Sequence, residues 1–320
     1  MSELGDHLTV EVAPRLSSAC ARSLWESAIP AIQINLEQGL NTIASGAAGR
    51  DEVVAAIREE TARLVIRRTR EAEACILSSS DPETQAPARL LKRLYNGAPQ
   101  NAECIPIITT NYDTLVELFC DLAGLPLDTG FTGFRRRRAR STPIFQTQYR
   151  RVIAAGRRSA TYEHRPFPNV RLMKPHGSIT WQLAEGAPIE VLNDLSDAPR
   201  AIVVPGPTKY EDALINLLFD GMRTEMNAAV GRASALLCVG FGFNDDHLQG
   251  AIRQRLDAGM PALILTREFT PNIRTVLHRY PHVLAIQRRE AGAEAHLEGD
   301  VTFSPVPVWE LDFFLKTFLE

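Results

Sequence analysis

Lysine is nearly absent from this 320-residue chain. Lys92, Lys174, Lys209 and Lys316 are the only four, so arginine carries almost all of the positive charge. The bias reads as codon usage in a GC-rich genome rather than chemistry, although it singles out each lysine that remains. Cysteine is also sparse: Cys20, Cys75, Cys104, Cys120 and Cys238. No two stand in a C-x-x-C spacing and their number is odd, which argues against a disulfide framework and against a zinc ribbon. They read as buried thiols in a reducing compartment. No run of 18 apolar residues occurs, so no membrane span is expected. The first residues, Met1-Ser2-Glu3-Leu4-Gly5-Asp6, lack a basic region followed by an apolar core, so the expected location is the cytoplasm. The net charge of −3 argues against a chain dominated by phosphate-backbone binding. With 45% hydrophobic and 23% charged residues, the chain has an ordinary globular composition. Its length buries a core without help from disulfides or metal.

The first hundred residues read as helical. Over 51–77, Val54, Ile57, Leu64, Val65, Ala72 and Ile76 fall near helical spacing, with Glu and Arg between them. A second amphipathic stretch covers 86–96 and closes at Asn96-Gly97-Ala98-Pro99. The character changes after residue 104. Short apolar runs at 105–109, 170–173, 201–204, 236–239, 262–265 and 283–286 each lead into a polar or glycine-containing loop. Continuous apolar strands alternating with helices imply an α/β fold, with a parallel sheet covered by helices on both faces. In such folds sites form at the carboxyl ends of the strands. Residues 124–169 break the pattern and read as a long basic insertion, a length of loop that is usually functional or mobile.

Three strand-end segments could carry chemistry. Thr109-Thr110-Asn111-Tyr112-Asp113 places an amide and a carboxylate at the sheet rim. The plainer reading is that Asn111 or Asp113 caps the following helix, with Thr114 and Glu117 forming a capping box. Lys174-Pro175-His176-Gly177-Ser178 carries the one histidine that directly follows an apolar strand and precedes a glycine. So placed, His176 can act as a general base near neutral pH, or can simply be satisfied in a turn. Gly240-Phe241-Gly242-Phe243-Asn244-Asp245 precedes a helix with Leu248, Ile252 and Leu256 on one face. It suits phosphate or ribose binding at a helix N-terminus, or capping by Asn244 or Asp245, and it lacks the third glycine of the dinucleotide fingerprint. The strongest charge run is Arg135-Arg136-Arg137-Arg138 with Arg140 beyond, and Arg150, Arg151, Arg157 and Arg158 make the whole insertion basic. It can contact nucleic acid, a phosphate-bearing ligand or an acidic partner, or be a solvated loop.

The ordered triple of Thr-Thr-Asn-Tyr-Asp, Lys-x-His-Gly-Ser and Val-Gly-Phe-Gly-Phe-Asn-Asp resembles the sirtuin-like NAD-cleaving family of bacterial antiphage defence systems. The resemblance covers residues 50–290; Leu127 to Phe131, and Val204-Pro205 with Lys209, also sit where such proteins have similar segments. It implies a Rossmann-like core at 104–290 with its insertion at 124–169. A helical portion at 1–100 and a C-terminal segment at 291–320 would complete one domain over 1–320. By resemblance, Asn111 holds the nicotinamide ribose and the attacking water, Asp113 lies near the carboxamide, and His176 sits against the ribose hydroxyls. Thr109, Thr110, Tyr112, Gly177 and Ser178 would line the same pocket. Gly240, Gly242, Asn244 and Asp245 would serve the adenosine or phosphate end. NAD is then a substrate, hydrolysed to ADP-ribose and nicotinamide.

Two departures from the family pattern matter. The glycine-rich opening strand and loop are missing, and the only similar string, Ser45 to Gly49, comes after a helical stretch. An in-frame strand and Gly-x-Gly upstream of Met1 would complete the site. The four-cysteine zinc module of deacetylating sirtuins is also missing, which favours NAD hydrolysis without zinc over protein deacylation. A non-catalytic module that binds NAD or ADP-ribose is the remaining alternative. The resemblance further implies a homo-oligomer or a HerA-type motor ATPase as partner.

Overall fold

The computed structural model describes residues 3–99, 102–140, 148–153, 162–184, 187–192, 198–204 and 213–320. Lys209, Pro205, Arg157 and Arg158 lie outside the described residues. So do the side chains of Arg150 and Arg151.

Five helices come first: α1 (Glu3–Glu11), α2 (Ala19–Ile34), α3 (Leu36–Asn41), α4 (Arg50–Leu77) and α5 (Ala86–Asn96). Local chemistry sets their ends. The Ser18 hydroxyl accepts from Ala21 N at 3.1 Å and caps α2. Gly49, at φ +81°, turns the chain into α4, whose first turn carries Asp51 and Glu52 against the helix dipole. Leu8, Trp25, Ile32, Leu40, Val53 and Ile57 pack into one cluster, joined by Val204 from the far side of the sequence. Glu60 is buried beneath it, and Arg15 Nε donates to its carboxylate at 2.8 Å. No helix of the described residues is long and apolar enough to cross a membrane.

The sheet strands come after these helices. β1 (Cys104–Ile108) leads to α6 (Leu115–Leu122), then β2 (Leu127–Asp128), β3 (Phe131–Thr132), β4 (Arg136–Ala139), β5 (Gln148–Ile153) and β6 (Tyr162–Phe167). Next come β7 (Asn169–Met173), β8 (Gly177–Ala184), β9 (Ala187–Val191) and β10 (Arg200–Ile202). The last part is α7 (Ala213–Arg232), β11 (Leu236–Val239), α8 (Asp246–Asp257), β12 (Ala262–Thr266), α9 (Pro271–Arg279), β13 (Leu284–Arg289), β14 (Gly292–Leu297), β15 (Asp300–Ser304) and α10 (Leu311–Phe318).

The fold is α/β, with parallel strands flanked by helices. One parallel sheet has the order β1-β7-β2, with Ile108 opposite Met173. A second runs β11-β12-β13 in parallel and continues antiparallel into β14 and β15. The period-two alternation of strand side chains accounts for the layers. Cys238, Ile264 and Ala285 meet Ile252 and Leu256 of α8 and Ile273 and Val276 of α9. Their neighbours Leu237, Leu265 and Ile286 point the other way, to Phe314 of α10. In the first sheet Val170 and Ile107 face α5 and α6, while Met173 and Ile108 face α7. Ile108 also touches the cluster beneath the second sheet. Among the described residues β1 and β11 each pair on one side only.

Two expectations change in detail. The 201–204 run is not a parallel strand: Arg200–Ile202 pairs antiparallel with β8 in a separate sheet of order β10-β8-β9-β4-β3. The stretch 124–169 is not all insertion, because Leu127–Asp128 pairs parallel with β7 inside the first sheet. The rest of that stretch is rich in strands: β3 and β4 join the antiparallel sheet, and β5 and β6 form a hairpin. Arg171 shows how a charged residue sits in the centre of β7. It is 2% exposed, its Nε donates to Glu225 at 2.6 Å and its Nη1 to the Asp128 carbonyl at 3.1 Å. One guanidinium thus ties β7 to β2 and α7, and its charge is compensated where an unpaired one would be very costly.

Candidate functional site

Three loops leave the carboxyl ends of β1, β7 and β11 and meet. Hydrogen bonds lace the first two together. The Tyr112 carbonyl accepts from Ile179 N at 2.9 Å, and the Tyr112 hydroxyl donates to the Val203 carbonyl at 2.6 Å. Val203 N in turn donates to the His176 carbonyl at 2.8 Å. Gly177 allows this closeness. Its φ is +89°, and a Cβ there would stand 2.2 Å from the Ala201 carbonyl oxygen. Only glycine fits both the left-handed backbone and the contact.

Lys174 holds the same corner from below. The side chain is 2% exposed, and its ammonium reaches Glu117 at 2.7 Å, the Asp113 carbonyl, and the Ser178 hydroxyl at 3.4 Å. Burial pushes the Glu117 carboxyl above its ordinary range, and Lys174 opposes that shift. The expected capping box is therefore absent. Glu117 is drawn to Lys174, and the Thr114 hydroxyl donates to Glu73 at 2.7 Å. Asp113 takes over the cap, one carboxylate oxygen accepting from Leu115 N at 3.0 Å. Asn111 lies on the exposed rim of this loop, with its backbone N–H donating to Thr109 Oγ1 at 3.2 Å. No described residue engages its side-chain amide. Thr110 is half-buried beside it.

The third loop closes on the histidine. His176 Nε2 lies 2.7 Å from Asp245 Oδ2, with the two side chains 20% and 14% exposed. A carboxylate at that distance places the ring proton on Nε2 and leaves Nδ1 free to accept one. The β11 loop is held by its own contacts. Gly240 has φ +67°, and Phe243 has φ +55° with its ring buried against Phe241 at 4.8 Å. A left-handed Phe costs roughly 1–2 kcal/mol and survives only where packing over-determines it. The Thr270 hydroxyl donates to the Gly242 carbonyl at 2.6 Å, and Asn272 Nδ2 donates to Asn244 Oδ1 at 3.0 Å.

Every residue assigned to the site by sequence is on this rim or directly beneath it. Asp245 is the one whose neighbour differs: the sequence groups it with the glycine loop, and in the structure it orients His176. Sequence reasoning missed Lys174 and Glu117 as a buried support, and Thr270 and Asn272 as props for the glycine loop. All four depend on partners distant in sequence, so no local spacing marks them. Among the described residues no cluster of three or more His, Cys, Asp or Glu side chains is placed to hold a metal ion.

No curated protein matches the chain. A model of the SIR2-like domain matches residues 106–285, a span that runs from within β1 to the start of β13 and contains all three loops. That match covers more than half of the sequence, and this chain belongs to the SIR2-like domain family, whose members use NAD.

Proposed function

We propose that the protein hydrolyses NAD to ADP-ribose and nicotinamide. The observation that carries this reading is the His176–Asp245 pair, 2.7 Å apart, at the rim where Asn111 presents an unengaged amide. Nicotinamide in NAD is already a cationic leaving group, so the glycosidic bond needs little acid assistance. When it breaks, both electrons leave with the nicotinamide nitrogen, and positive charge develops on the ribose. The demands on the protein are to place water at C1′ and to take up its proton. Asn111 can orient the water or a ribose hydroxyl through either end of its amide. His176 Nδ1 accepts the proton as the water oxygen bonds to C1′, and Asp245 stabilises the imidazolium that results. Asp113, with one oxygen spent on the helix cap, keeps the other for the carboxamide. The half-open Gly240–Gly242 loop suits the diphosphate or adenosine end.

The test is direct. Purified protein is incubated with NAD, and nicotinamide and ADP-ribose are followed by chromatography. Equimolar release, abolished in Asn111→Ala and in His176→Ala, is the expected result. Unchanged release in both variants would overturn it. In a cell such an activity depletes NAD, which fits an antiphage effector acting in the cytoplasm as a homo-oligomer or beside a HerA-type motor ATPase. A second reading, binding of NAD or ADP-ribose without turnover, is favoured by the capping role of Asp113. Calorimetric binding of ADP-ribose by a protein that releases no nicotinamide from NAD would select it.

A further inference from the structure

The arginine run divides into two sets with different work. Arg137 and Arg140 face inward: Arg137 Nη1 meets Glu190 at 2.5 Å, and Arg140 Nη2 meets Asp128 at 2.7 Å. Glu190 and Asp128 are 2% and 6% exposed at these bridges, so the two pairs bolt β4 to the body of the protein. Arg135, Arg136 and Arg138 are exposed and have no acidic partner among the described residues. Between β3 and β4 the chain turns at Gly133, φ +129°, and there Phe134 stands 91% exposed, the most exposed large apolar side chain described. A ring left in water at the tip of a braced hairpin, flanked by three exposed guanidiniums, is not explained by the core.

The surrounding sequence sharpens the chemistry. Residues 129–162 hold nine arginines and no Asp or Glu, in a chain whose net charge is −3. Spaced positive charge alone would fit any polyanion. An exposed aromatic within the same few residues adds a flat face for a flat ligand, and stacking of bases on such rings beside backbone-tracking arginines is how single strands are held.

We propose that the β3–β4 hairpin is a docking site for single-stranded nucleic acid, with Arg135, Arg136 and Arg138 on the phosphates and Phe134 stacked on a base. The site is separate from the NAD chemistry and stands whether or not that reading holds. It also accommodates the low overall charge, because the positive field is confined to one segment.

Fluorescence anisotropy with a labelled ~20-nucleotide oligo(dT) or oligo(U) and the full chain, titrated at salt from about 50 to 200 mM, tests it. Each phosphate contact on a single strand contributes about 0.7 to the slope of log affinity against log salt, so replacing Arg135, Arg136 and Arg138 together by Ala should lower the slope by about 2. Phe134→Ala should weaken binding by about 5- to 150-fold through lost stacking, with little change in that slope. All four side chains are exposed, so the thermal midpoint of each variant should match the parent, which separates lost contact from lost fold. No binding at the lowest salt overturns the proposal. So does binding that Phe134→Ala leaves unchanged, or equal affinity for poly-glutamate, which would mark an acidic protein surface as the ligand.

Discussion

Asp245→Asn is the sharpest single test of the active-site geometry. The substitution keeps the shape of the side chain and removes its charge, so the 2.7 Å contact to His176 Nε2 is weakened without emptying the space. In the proposed mechanism the contact matters most once the ring has taken up the proton. In the transition state the ring gains a proton, and the hydrogen bond becomes one between charged groups. Such bonds are worth about 1.5–3 kcal/mol net. That range corresponds to about 10- to 150-fold in rate. The side chains are 20% and 14% exposed, so water softens the interaction and the lower half of the range is expected. The loss should fall on kcat with KM nearly unchanged, because the carboxylate acts through His176 and not on bound substrate. Initial rates of nicotinamide release for the parent, Asp245→Asn, His176→Ala and the double variant complete the measurement. If the two residues act as one unit, Asp245→Asn in the His176→Ala background should cost less than about threefold. A full multiplicative loss in that background would refute the pairing as a functional unit. So would a single variant with parental kcat.

The same corner of the fold yields further expected outcomes. Gly177→Ala places a Cβ 2.2 Å from the Ala201 carbonyl oxygen at φ +89°, and should destabilise the protein by more than about 1–2 kcal/mol in urea unfolding; an unchanged midpoint would show that the close approach is not real. Lys174→Met leaves Glu117 buried without its cation, a loss of about 3–5 kcal/mol near neutral pH. Because burial raises the Glu117 carboxyl in the folded state, the native form binds the proton more tightly than the unfolded chain, and stability falls as pH rises from the ordinary glutamate range. Removing Lys174 should steepen that fall, whereas Glu117→Gln should flatten it, and pH-dependent denaturation curves read both. Burial raises the thiols of Cys104 to about 11 and of Cys120 and Cys238 to about 12, while Cys20 and Cys75 are exposed. A thiol reagent at mildly alkaline pH should therefore label two sites quickly and three only on unfolding; fast labelling of Cys238 would contradict its buried place in β11.

Whereas β2 is only Leu127–Asp128 and lies in the stretch read as insertion, the parallel strands β1, β7, β11, β12 and β13 are legible in the sequence because each contains a short apolar run, a local signal. The antiparallel sheet is not, for reasons visible in its members. Arg136–Ala139 has no apolar side chain beyond an alanine, and it is a strand because Arg137 and Glu190 find each other across 53 residues. Arg200–Ile202 is apolar enough to be recognised, but nothing in three residues tells whether the partner runs parallel. Gly177–Ala184 contains Ile179, Thr180 and Trp181, a usable strand signal masked by its start inside the histidine motif, where a glycine and a serine read as loop. In each case propensity is silent or ambiguous, and pairing with a distant segment decides.

The site divides in the same way. Asn111 and His176 can be found because chemistry at a strand end has a local signature, an apolar run that ends in a polar turn. Their supports cannot. Asp245 lies 69 residues beyond His176, and Glu117 lies 57 residues before Lys174. Neither carboxylate has a sequence context that separates it from an ordinary cap or a solvated charge. Yet the proposal that His176 takes up a proton rests on such a support: an imidazole with a shielded carboxylate behind it is oriented for that role. The family match covers the loops that carry both partners, and the proposed mechanism rests on the pairing across them. A chain with the three motifs and no carboxylate behind its histidine would share the fold and need not share the reaction.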